Sequence, residues 1–92
     1  MARTITDQRK ACIEMVGDDT PLLFADGHDH AILGIADRSG VSLVVYDAHL
    51  IVETLRKRDR MSREEAEEFF EFNIGCAWVG DETPIFLRRL EL

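Results

Sequence analysis

Asp26, Gly27, His28, Asp29 and His30 form the densest run of metal-binding and proton-moving groups in the chain. On an extended backbone Asp26, His28 and His30 would share one side at i, i+2 and i+4. That side offers one carboxylate and two imidazoles suited to Zn²⁺ or a similar ion, with Asp29 close by. A metal-dependent enzyme or sensor could be built on this set. Gly27 works against it, because Asp-Gly is a turn pair and a turn Asp bonds its own backbone. The plainer reading is a polar hairpin loop. His49 falls in the first turn of a predicted helix and reads as a surface or half-buried residue rather than a catalytic base.

Other chemistry lacks a local signature. No nucleophile elbow surrounds any Ser or Cys, and the six glycines are scattered as turns and caps rather than gathered into a phosphate loop. Cys12 and Cys76 lie far apart inside two predicted helices, in no CxxC arrangement, and read as reduced, packed thiols. No cofactor is expected. The formal net charge of −7 opposes general nucleic-acid binding, whose affinity comes from neutralising phosphates, and suits a basic protein partner. The basic run Arg56, Lys57, Arg58, Arg60 and Arg63 is the one place a nucleic acid could touch. Its glutamate neighbours favour ion pairing across two helices instead.

These groups must be held by a small fold. With 92 residues, 46% hydrophobic and 32% charged, the chain suits one globular domain over 1–92 with a core at about 5–87. No apolar run reaches the ~18–20 residues needed to cross a bilayer, and the first residues lack a signal-peptide hydrophobic region, so the cytoplasm is expected.

The organising stretch is 61–80. Ser62 with Glu65 three residues on fits a capping box. Ala66, Phe69, Phe70, Asn73, Ile74, Ala77 and Trp78 follow at the spacing of one helical face, and Glu64, Glu67, Glu68 and Glu71 take the other. Gly80 is a natural C-terminal stop. The acidic face is a candidate protein-docking surface. Phe72, Cys76 and Val79 add a second apolar line that needs cover from the sheet or from a second copy of the chain. Asn73, an amide on the apolar stripe, needs a partner, either as a structural tie or at the floor of a pocket.

A first helix is predicted over 4–16, capped by Thr4 or Thr6, with Ile5, Cys12, Met15 and Val16 as its stripe. Residues 22–25, 31–37 and 41–46 read as strands of an antiparallel meander, with a tight turn at 38–40 and a bulge or close approach at Gly34. Asp47 caps a helix over 48–58, whose apolar positions are Ala48, Ile51, Val52 and Leu55. Residues 85–87 could add a strand at the sheet edge, and 88–92 read as a loose tail. The expected fold class is α+β: an N-terminal helix, a three- to four-stranded antiparallel meander, and a helix hairpin packed on one sheet face.

Ala25-Asp26-Gly27, Val45-Tyr46-Asp47, Glu64-Glu65-Ala66, Phe70-Glu71-Phe72-Asn73 and Gly80-Asp81-Glu82-Thr83-Pro84 together resemble a family of small uncharacterised proteins of bacteriophages, prophages and bacterial genomes. The resemblance spans roughly residues 20–87 and implies a phage or mobile-element setting, with no activity to carry over. The histidines after Asp26-Gly27 depart from the aromatic and acidic residues associated with the family at that point. The resulting expectation is a small acidic cytoplasmic binding or adaptor protein, one that could inhibit a host machine, acting on a protein partner or as a homodimer.

Overall fold

The computed structural model describes residues 6–90. Helix α1, Asp7–Val16, starts where the Thr6 hydroxyl accepts from the Arg9 N–H at 3.2 Å and stops at Gly17, whose φ of 93° favours glycine. Cys12 on this helix is buried, but Met15 is exposed and only Val16 is half-buried, so the expected stripe is narrower. Thr4 and Ile5, the alternative cap and the first stripe residue, lie outside the described residues.

The expected strand at 22–25 does not form. Leu22, Phe24 and Ala25 pack against the core from a non-strand segment. The Ala25 N–H donates to the Tyr46 hydroxyl at 2.7 Å instead of to a neighbouring strand. A side chain has satisfied a donor that a sheet would otherwise have used.

Strands β1, Ile32–Arg38, and β2, Val41–Asp47, make an antiparallel hairpin. Its two-residue loop, Ser39-Gly40, has φ of 51° and 81°. Two positive φ values are the primed-turn geometry that matches strand twist. The register slips between Ile32 and Gly34, so Leu33 bulges outward at the position where glycine suggested irregularity. Strand β3, Ile85–Leu87, joins the other side of β2 and runs parallel to it, pairing Val45 with Ile85 and Tyr46 with Phe86. The sheet is therefore mixed, in the order β1-β2-β3, and not an antiparallel meander. The chain leaves β2 into two helices, and a connection of that length brings the next strand back in the same direction.

Helices α2, Ala48–Arg58, and α3, Arg63–Phe70, fill that connection. Both predicted caps are present. Asp47 accepts from the His49 and Leu50 N–H groups, while Ser62 and Glu65 exchange bonds at 3.1 and 3.0 Å. Ala48, Ile51, Leu55, Ala66 and Phe70 pack with Val44 and Tyr46, joined by Ile32, Ile35 and Phe86. These sheet residues lie on one face, as the register requires. The Phe86 ring stacks on Tyr46 at 5.6 Å and meets Phe70 edge-on at 5.4 Å, tying β3 to β2 and α3 together. Each large side chain fully buried here contributes roughly 1.5–3 kcal/mol.

The long helix is shorter than its sequence pattern. After Phe70 the backbone widens into a π-helical turn, Glu71–Gly75, and Cys76 ends it. Residues 76–80 are not helical. Trp78 and Ala77, expected in the core, are exposed, as is Cys76, and Phe69 is 40% exposed. Ala66 and Phe70 remain as the buried anchors, with Ile74 half-buried beside them.

Candidate functional site

The loop at 26–30 does not hold the expected ligand set. The Asp26-Gly27 turn and a 3₁₀ turn at Asp29–Ala31 replace the extended backbone that would have aligned Asp26, His28 and His30. Among the described residues no three His, Cys, Asp or Glu side chains are gathered as metal ligands. The carboxylates go to Arg9, whose Nε donates to both Asp29 oxygens at 2.8 Å and whose Nη2 donates to Asp26 at 2.9 Å. The Thr6 hydroxyl donates to Asp29 as well, at 2.8 Å. Arg9 also lies 4.8 Å over the Phe24 ring. The Asp26 carboxylate, with Asp29 behind it, holds the guanidinium pKa above its ordinary value. This clasp joins α1 to the loop before β1.

The two histidines are separated in role. His30 shares a 2.5 Å hydrogen bond with the Thr54 hydroxyl of α2. His28 is only 6% exposed, and its Nδ1 has no hydrogen-bond partner among the described residues. Burial depresses its pKa, and the nearby Arg58 and His30 charges push it the same way. His49 is exposed.

The acidic face of α3 divides in two. Glu67 accepts from Arg63, one turn earlier, at 3.3 Å, and Glu71 accepts from Arg88 at 3.3 Å. Glu64 and Glu68 are exposed and take no ion-pair partner among the described residues. Glu65 is bound by the Ser62 N–H, which lowers its pKa below the usual carboxylate range. The ion pairs of the basic run are local rather than across the helix hairpin: Arg56 with Glu53, Arg58 with Asp59, Arg63 with Glu67, while Arg58 also donates to the Gly27 carbonyl, 31 residues away.

Beside Glu65 and Glu68, the side chains of Met61, Phe69, Phe72 and Asn73 border a shallow depression of about 360 Å³. Phe72 is 78% exposed, and Cys76 and Val79 are exposed with it, so nothing among the described residues covers the second apolar line. Asn73 is exposed and its amide donates to the Phe69 carbonyl one turn back, at 3.1 Å. It ties the helix to itself, not to the sheet.

On the other flank of α3 an open groove of about 540 Å³ runs between α2 and residues 88–90. Of the tail expected to be loose, residues 88–90 line this groove, and 91–92 lie outside the described residues. Arg89 reaches the buried Asp47 carboxylate at 3.1 Å while Arg88 holds Glu71. The Arg9 clasp and the Arg89 contact both join residues far apart in the chain, so no local pattern announced them.

Searches against protein-family models, curated proteins and solved structures find no match to this chain.

Proposed function

We propose that this chain is a small non-enzymatic binding or adaptor protein that engages a basic protein surface through the outward face of α3. The observation that carries the reading is Glu64 and Glu68, both exposed on a firmly capped helix and both left without an ion-pair partner among the described residues. Exposed pairs contribute little to stability, so carboxylates free of them are available to a partner at small cost to the fold. The net charge of −7 adds long-range attraction for a basic surface and speeds encounter. The cytoplasm, a phage or mobile-element setting and inhibition of a host machine are parts of the same proposal, supported by the sequence motifs. No helix among the described residues is long and apolar enough to cross a membrane.

Affinity capture from a host lysate tests the reading. The expected result is a basic protein retained by the native chain, lost with Glu64→Lys plus Glu68→Lys, and kept with Asp18→Lys plus Asp19→Lys. Capture that survives the first pair overturns it.

A further inference from the structure

Resting on that reading, we propose that the depression at Met61, Phe69 and Phe72 seats a cationic amphipathic helical segment of a partner protein. The aliphatic side chains of that segment enter between the two phenylalanines while its Lys or Arg residues meet Glu65 and Glu68. The two kinds of contact lie on one surface: Glu65 and Glu68 line the same depression as Phe69 and Phe72. At 100° per residue, positions 65 and 68 point away from the buried side marked by Ala66 and Phe70, and Phe72 in the π-helical turn that follows is exposed. Phe72 therefore stands in solvent with Glu68 one turn and Glu65 two turns behind it, an apolar anchor point with an acidic rim. An amphipathic helix recognises such a surface by its i, i+3, i+4 anchors, and its flanking charges set orientation.

Charge decides between a foreign segment and a second copy. A two-fold contact centred on this depression would bring Glu65 and Glu68 of both chains into one interface. Each copy also carries −7. Like charges brought together oppose such pairing, whereas a cationic segment neutralises them.

The test uses a short synthetic peptide with leucines on one helical face and lysines on the other, titrated into the full chain and followed by fluorescence anisotropy. Phe72→Ser, which removes an exposed ring and no core contact, should weaken binding about tenfold or more. Glu65→Gln with Glu68→Gln should weaken it similarly, and Asp18→Asn with Asp19→Asn, the same change in charge elsewhere, should stay within about twofold. Amide NMR shifts should map to residues 61–73. Unchanged circular dichroism confirms that each variant is folded.

Full binding by Phe72→Ser with loss in the glutamine pair overturns the apolar seat and leaves the acidic-surface reading standing. Equal loss in the Asp18/Asp19 control overturns the site as general charge attraction. Absence of peptide binding at low salt overturns the inference, while lysate capture judges the broader reading separately. Sedimentation showing a dimer that Phe72→Ser dissolves gives the face to a second copy and overturns it too.

Discussion

Arg9 Nε donates to both oxygens of Asp29 at 2.8 Å, joining the first turn of α1 to the 3₁₀ turn that leads into β1. Both side chains are mostly shielded, at 20% and 16% exposure, so the pair is worth more than a surface contact. Arg9→Met removes the guanidinium that lies over the Phe24 ring and leaves the Asp29 carboxylate to the Thr6 hydroxyl. It should cost roughly 1.5–3 kcal/mol in urea unfolding and raise hydrogen exchange first in α1. Asp29→Asn should cost less, because its amide oxygen still accepts from Arg9.

His28 makes stability depend on pH. Its folded pKa lies below the ordinary 6.5, because burial and the neighbouring Arg58 and His30 charges disfavour the imidazolium. The unfolded chain therefore binds this proton more readily than the folded one. The contribution is complete above pH 6.5 and is lost as pH falls from there through the folded pKa. Urea midpoints at about pH 7.5 and about pH 5.5 should differ in the native chain and differ less in His28→Gln. Arg58→Met should raise the His28 pKa only part of the way in an NMR titration, since burial is the larger cause.

The local signals were legible and the distant ones were not. Ser62 with Glu65, Asp47 before α2 and the Ser39-Gly40 turn act within a few residues, where sequence spacing fixes geometry. The segment 22–25 is not a strand, and its Ala25 N–H goes to the Tyr46 hydroxyl, 21 residues away, a partner that no local pattern encodes. The direction of β3 followed from how two helices return the chain, which no periodicity in residues 85–87 encodes. The acidic face was visible, but its division was not. Glu71 is claimed by Arg88, 17 residues on, while Glu68 takes no ion-pair partner among the described residues. Arg9 was likewise silent, since its partners Asp26 and Asp29 lie 17 and 20 residues away.

Tyr46 offers a direct test of how that segment is held. Its ring is fully buried and its hydroxyl holds the Ala25 N–H, and burial raises the phenol pKa. Tyr46→Phe keeps the stack on Phe86 and removes the acceptor alone. It should cost about 1–3 kcal/mol, with no change in far-ultraviolet circular dichroism and faster exchange of the Ala25 amide.

Gly75 closes the π-helical turn against the Phe70 ring. A Cβ there would stand 3.1 Å from Phe70 Cε2 and 3.4 Å from Cζ. The ring is held edge-on by Phe86 and has little room to retreat. Alanine in a helical turn gains roughly 0.5–1 kcal/mol over glycine, whereas overpacking costs about 1–3 kcal/mol. Gly75→Ala should therefore lower the thermal midpoint, and pairing it with Phe70→Leu should recover part of the loss.

Trp78 is the chain's single tryptophan and reports where the long helix ends. Had the helix run to residue 80, its indole would face the core with Phe70 and Ile74, emit at short wavelength and resist quenching. After the π-helical turn it is 66% exposed instead. Native emission should resemble that of free indole in water, acrylamide should quench it readily, and urea unfolding should change it far less than circular dichroism. Blue-shifted, protected emission in dilute protein would restore the longer helix. A blue shift that grows with protein concentration would instead place a second chain over this surface, and Phe72→Ser should abolish it if that chain sits on the depression beside Glu68.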